Sequence, residues 1–362
     1  MKKRLISSLA VLCLGATGVL AEEGGSGQHV PGAYGSFSGI VPDKPGFTVK
    51  NSIWGYGGDA ARADTFERTV SLAVGPKAKA SALAILAAGA TGRINLNPDT
   101  AARLMEILRL EERDINISGV SKFSLSSDVW FEAFSLVYTM PWEIAGGHLS
   151  SAVFVPFLWL ETTADVELRI NDRQRQRTVK ESNFGLSDIV VSPYIIGWEK
   201  GYFHWMTGLN VYVPTGDYSP TSLAPLGKNH WSFEPNAGIT YLNLKTGLEI
   251  SGATGLVFST ENSDTDYGNG IVWFLEYAVT QHLPGGLGVG VAGNVYDQIT
   301  GDNGSGANGG FHSRSIGVGP ILQYAGKIGG RDISSDVKWL HEVDTKNRIS
   351  GDMIWLNFAI AL

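Results

Sequence analysis

Side chains alternate between apolar and polar over segments long enough to cross a bilayer, and this two-residue period constrains the fold more than any other feature. Trp231, Phe233, Pro235, Ala237, Ile239 and Tyr241 alternate with Ser232, Glu234, Asn236, Gly238 and Thr240. Leu248, Ile250, Gly252, Thr254, Leu256 and Phe258 form a second row, and Ile271, Trp273, Leu275, Tyr277 and Val279 a third, with Glu276 on the opposite face. Phe203, Trp205, Leu209, Val211 and Val213 form a fourth, facing away from His204, Gly208 and Asn210. Successive side chains of a strand point to opposite faces, so each row marks a strand with one apolar and one polar face. A soluble sandwich also alternates, but it does not place large aromatics on the outer row of so many long strands.

Such segments fall near 46–57, 127–139, 148–163, 186–198, 202–213, 231–242, 246–258, 270–281, 287–297, 314–325, 332–341 and 351–362. The connections at 140–147, 199–201, 243–245, 282–286 and 326–331 are short. Those at 164–185, 214–230, 259–269, 298–313 and 342–350 are longer and polar. Short periplasmic turns alternating with long extracellular loops are the pattern of an outer-membrane barrel. The expected fold is therefore all-β: a membrane-spanning, antiparallel, up-and-down β-barrel of about 12 strands, with both termini on the periplasmic side.

Composition supports this reading. Charged residues make up 17% of the chain, against about 25% in soluble domains. The longest apolar stretch after the first residues, Ala80–Ala90, falls short of the roughly 18 to 20 residues a membrane helix needs. Residues 1–21 have the form of an export signal: Lys2, Lys3 and Arg4, an apolar Leu9–Leu14, and Val19-Leu20-Ala21 before Glu22. Its removal takes away Cys13, the only cysteine, which excludes disulfides and a thiolate nucleophile. Residues 22–45 are expected as a periplasmic segment ahead of a barrel at 46–362. The net charge of −7 offers no basic stripe for nucleic acid.

Two girdles of aromatics are expected at the membrane interfaces. Trp142, Trp198, Tyr202, Tyr241 and Tyr324 lie near short turns; Trp159, Tyr212, Trp231, Trp273, Tyr296 and Trp339 lie near long loops. Residues 59–126 interrupt the pattern. Asn97-Pro98-Asp99-Thr100 has the form of a helix start, so this insertion is either a surface loop or a plug folded into the lumen.

Several segments resemble the family of the MetA pathway of phenol degradation, a group of predicted outer-membrane transporters. They are Glu23-Gly24-Gly25-Ser26-Gly27-Gln28-His29-Val30-Pro31-Gly32, Gly185-Leu186-Ser187-Asp188-Ile189, Pro214-Thr215-Gly216-Asp217-Tyr218 and Leu226-Gly227-Lys228-Asn229-His230-Trp231-Ser232. Glu261-Asn262 with Thr265 and Tyr267, the pair Gln298 and Asp302, Gly317-Val318-Gly319-Pro320 and Asn347-Arg348 follow in order. The resemblance extends over most of the chain outside 59–126. It implies an outer-membrane barrel and uptake of aromatic or other hydrophobic compounds, and supplies no catalytic residues.

The inward row is expected to carry His204, Asn210, Glu234, Asn236, Glu249, Glu276, Asn294, Asp336 and Lys338. Buried charges must be paired or wet, so these residues either line a permeation path or brace the wall in an internal network. Four acids against one lysine disfavour anionic solutes. The expected function is passive uptake of small hydrophobic, phenol-like compounds, without enzyme activity or cofactor. The rivals are a structural or surface-interaction barrel with a closed lumen, and a lipid hydrolase using His148 and Ser150. Outer-membrane phospholipases use a serine with a nearby histidine on a barrel strand, but no orienting partner for this pair is evident. Glu261, Asn262, Asp264 and Asp266, or Asp297, Asp302 and Asn303, supply oxygens for calcium without the spacing of a calcium loop. Arg169, Arg173, Arg175, Arg177 and Lys180 would either meet lipopolysaccharide phosphates or form a merely solvated loop. The expected partners are hydrophobic solutes, outer-membrane lipid and, during biogenesis, the barrel-assembly machinery.

Overall fold

The computed structural model describes residues 22–72, 97–100, 103–104, 113–170, 173–307 and 310–362. The export signal and the apolar stretch at 80–90 lie outside the described residues. The strands are β1 (Gly46–Leu72), β2 (Arg113–Ile144), β3 (Gly147–Ile170), β4 (Arg173–Leu186), β5 (Ile189–Lys200), β6 (Phe203–Val213) and β7 (Ser232–Asn243). They continue as β8 (Leu248–Ser259), β9 (Val272–His282), β10 (Leu287–Gln298), β11 (Arg314–Ile328), β12 (Arg331–Lys346) and β13 (Ser350–Ala361). From β5 to β13 each strand pairs with the next; β3 pairs with β5, β2 with β3 and β1 with β2. The seam is β1 on β13, from Thr48 opposite Ala361 to Asp59 opposite Ser350. A closed antiparallel barrel of twelve strands results, with β4 an additional strand on β3.

Strand locations follow the alternation because each register is fixed by which face is apolar. Ile239 is 52% exposed while its neighbour on the opposite face, Thr240, is 0% exposed. The outer wall accordingly carries Phe233, Ile250, Val279, Val291, Leu322, Val337, Ile354, Leu356 and Phe358. The short turns hold glycines at positive φ, Gly146, Gly201, Gly247, Gly285, Gly286, Gly329 and Gly330, a conformation that costs least without a Cβ. Pro193, which cannot donate to a ladder, interrupts β5. Its pairings shift between Ser150 and Ala152 on β3, and between Val191 and Tyr194 on its β6 side.

Three expectations are corrected here. The presumed loop 164–185 is mostly strand, because β3 runs to Ile170 and β4 begins at Arg173. The loop at 342–350 shrinks to 347–349, since β12 extends to Lys346 and β13 starts at Ser350. Much of 59–126 is also strand, as β1 reaches Leu72 and β2 starts at Arg113. Arg173–Thr178 of β4 and Asp344–Lys346 of β12 lack the apolar row that marks the other strands, whereas Ala164, Val166, Leu168 and Ile170 continue such a row on β3.

The chain divides into two compact units. The first takes in the described residues up to Arg62, Ser124–Asp165 and Thr178–Leu362; the second holds Ala63–Phe123 and Val166–Arg177. In the second, Pro98 to Thr100 are helical, and Asn97 Oδ1 accepts the Thr100 N–H at 2.7 Å as an N-cap. The features below belong to the first unit.

Candidate functional site: a strapped lumen

Residues 22–41 run along the inward row, not beyond the end of the barrel as expected for a periplasmic segment. We call them the strap. The strap begins among the long loops, where the Glu22 N–H donates to Asp302 Oδ2 at 2.9 Å and the Glu23 N–H to Asn269 Oδ1 at 2.9 Å. Towards the short turns, the Phe37 N–H donates to Glu249 Oε1 at 2.8 Å and the Gly39 N–H to Thr240 Oγ1 at 2.9 Å. Leu362 ends at the short-turn end, its N–H on Phe47 O at 2.8 Å. The ends of the described chain, Glu22 and Leu362, therefore lie at opposite mouths.

At mid-depth the strap is held by charge. His29 Nδ1 lies 2.9 Å from Glu234 Oε2, and Nε2 lies 3.0 Å from Glu276 Oε1. An ionised carboxylate only accepts hydrogen bonds, so both ring nitrogens donate and the ring is an imidazolium. It stacks on Phe274 with centroids 3.8 Å apart. Glu276 also accepts the N–H groups of Gly32 and Tyr34 at 2.7 and 2.6 Å. Glu234 further accepts the hydroxyls of Tyr34 at 3.0 Å and Tyr212 at 2.6 Å. Across the lumen, Lys338 Nζ donates to Gly32 O at 2.6 Å and Tyr34 O at 2.5 Å, and lies 5.5 Å from the Trp355 ring centroid.

The inward row is thus largely a set of clamps. Glu234, Glu249, Glu276 and Lys338 bind the strap directly, and Asn210 Nδ2 reaches Tyr34 Oη at 2.9 Å. Asn236 bonds back to Glu234 O at 3.1 Å. His204 pairs with Glu199 at 3.3 Å, and Asp336 accepts from Asn357 at 3.0 Å. The Asn294 amide is buried with neither polar atom hydrogen-bonded among the described residues. Two residues expected in the outer girdle, Tyr212 and Tyr296, are instead buried in this row. Their hydroxyls donate to Glu234 and Glu22, and their even positions put them on the inward face of their strands.

The remaining wall is aromatic. Trp54 on β1, Phe131 on β2, Phe154 on β3 and Trp355 on β13 share one cluster with Leu158, and the strap meets it through the apolar Val30. Phe131 contacts Phe154 and Trp355 edge-on, at 6.0 and 5.5 Å between centroids. Trp355 Nε1 donates to Pro31 O at 3.1 Å, whereas Trp54 Nε1 is buried with no acceptor among the described residues.

Other expected sites are engaged differently. Ser150 Oγ pairs with Thr139 Oγ1 at 2.9 Å rather than with His148. Asn262 Nδ2 donates to Glu23 at 2.8 Å and Asp266 accepts the Ser305 N–H at 2.9 Å. Asp302 accepts from Tyr267, Gly270 and Gln298. No group of three or more His, Cys, Asp or Glu side chains suited to a metal ion occurs among the described residues. Of the basic cluster, Lys180 pairs with Glu161 at 2.6 Å, and the side chains of Arg169, Arg173 and Arg175 lie outside the described ones.

A closed antiparallel barrel, apolar outside and polar within, satisfies its backbone entirely between strands and is how a chain crosses a bilayer without helices. The class is that of the outer-membrane channel-like barrels. The chain belongs to the family described as "Putative MetA-pathway of phenol degradation", which matches residues 114–358. Its fold is similar to the COG4313 outer membrane channel from Pseudomonas putida F1, at 10% identity and a TM-score of 0.57, covering 92% of this chain and 100% of that one. A FadL homologue from Pseudomonas aeruginosa is matched at 7% identity and a TM-score of 0.36, covering 87% of this chain and 89% of that one. No curated protein sequence matches the chain.

Proposed function

We propose that this protein is an outer-membrane channel for passive entry of small aromatic compounds, which move between the strap and the aromatic wall of Trp54, Phe131, Phe154 and Trp355. The observation that carries the reading is the division of the lumen. One side spends its polar groups on the strap; the other offers rings and one buried indole N–H without an acceptor. Aromatic solutes gain from edge-on and stacked contacts with such a wall, and a hydroxylated ring also supplies the acceptor that Trp54 lacks. The family's description and the fold shared with the outer membrane channel from Pseudomonas putida F1 support transport. In this reading the short turns face the periplasm, outer-membrane lipid contacts the outer wall, and assembly machinery handles the final strand.

Trp54→Phe keeps the ring and removes the donor. A deletion strain complemented with it should take up phenol several-fold more slowly than one carrying the parental gene, with toluene uptake unchanged. Equal uptake of both solutes by the deletion strain and its parent would end the channel reading. The dense bonding of the strap also favours a second reading, a structural barrel with a closed lumen, which predicts that same equality.

A further inference from the structure

The Glu22 N–H that meets Asp302 belongs to the residue directly after the expected cleavage site. We infer that Asp302 is a binding site for the α-ammonium group that export cleavage creates at Glu22, so that the strap locks into the lumen only in the processed chain. Hydrolysis of the Ala21–Glu22 amide consumes one water. It leaves a carboxylate on the departing signal and an amine on Glu22, which takes a proton from solvent at neutral pH, its ordinary pKa being about 8. The inference rests on cleavage after Ala21 and not on which solute passes.

Charge is the first argument. Glu22 and Asp302 are both buried. Glu22 has Arg348 Nη1 at 3.2 Å and the Tyr296 hydroxyl. Among the described residues Asp302 has only neutral donors: Tyr267 Oη at 2.8 Å, the Gly270 N–H at 3.0 Å and Gln298 Nε2 at 2.6 Å, besides the Glu22 nitrogen itself. Around this corner, Glu23, Asp188 and Glu342 add carboxylates, and Lys228, whose Nζ is 2.6 Å from Ser26 Oγ, adds the second cation. A buried carboxylate without a cationic partner is costly. An ammonium at Glu22 supplies that partner at the one position already within bonding distance.

The backbone gives an independent argument. Glu22 has φ of 62°, in the left-handed region that a residue with a side chain occupies only at a cost. That cost arises from the carbonyl of the preceding residue. The first residue of a chain has no such carbonyl and no φ, so cleavage removes it.

The test uses full-length precursor expressed with its signal, and protein extracted from the outer membrane. Intact mass should show Glu22 as the first residue, and an amine-selective reagent at neutral pH should label the N-terminus at least ten-fold more slowly in the folded barrel than in the denatured chain. Asp302→Asn should abolish that protection and raise conductance in planar bilayers. A second variant inserts one alanine between Ala21 and Glu22. It keeps the Glu22 amide N–H but moves the ammonium one residue away, and it too should conduct more than the parent. A different first residue would remove the basis of the inference. Unprotected parental amine, or parental conductance in the alanine-insertion variant, would show that Asp302 reads a plain amide and overturn it.

Discussion

His29 occupies the position of greatest leverage on the strap. Removing one partner of a buried charged pair costs about 3–5 kcal/mol, because the other is left uncompensated. His29→Ala strands two carboxylates, Glu234 and Glu276, that the imidazolium now separates. It should release the strap and multiply single-channel conductance, while Glu276→Gln in the same background should recover part of the loss. His230 works in the opposite electrostatic sense. Burial, with Lys228 adding, holds its pKa below the ordinary histidine value. Its Nε2 accepts from Asn269 Nδ2 at 2.9 Å, and Asn269 in turn holds the Glu23 N–H. A lowered folded pKa means that this stabilisation is full above the unfolded value of about 6.5 and is lost as pH falls through the folded one. Conductance should therefore rise on acidification, and His230→Gln should flatten that response. The inward residues were legible in the sequence as an alternating row, but their partner was not. Four acids facing one lysine was the available signal: a wall so short of counter-charge needs cations from elsewhere, and His29 stood in a segment noted only for its resemblance to the family.

Among the elements, β7 and the lower strap approach each other backbone to backbone. A Cβ on Gly238 would lie 2.3 Å from Ser38 O, and one on Gly39 would lie 2.5 Å from His204 O. Gly238→Val should therefore wedge the lower strap off the wall. The expected result is greater conductance with the heat-modifiable gel mobility of a closed barrel retained; loss of that mobility would mean the glycine serves the wall itself. Strands with an apolar outer row were recoverable because lipid enforces the period on one face. β4 and the outlying parts of β1 and β2 were not. Arg173 to Thr178 carries only polar residues, so a strand there has the composition of a loop. The strap has no regular period at all, since its backbone bonds to side chains rather than to a ladder.

For the whole molecule, the strap and the aromatic wall make separable contributions. Deleting residues 22–40 should leave the barrel folded and open it to ions and hydrophilic solutes, while discrimination for aromatic compounds falls. Ion conductance and phenol uptake measured on the same preparation would show whether the two diverge; a deletion that leaves conductance unchanged would mean the strap does not obstruct the lumen. The seam imposes an order on biogenesis. It joins β1 to β13, strands some 300 positions apart in the chain, and pairings this remote form slowly. The strap precedes β1 directly and its far end carries a buried, charged corner. Threading that end through a finished ring would require the ring to empty and refill itself. Enclosure while the sheet is still open avoids this, which makes the strap a template around which the last hydrogen bonds close and gives its residues a role in the rate of membrane assembly as well as in the traffic that follows.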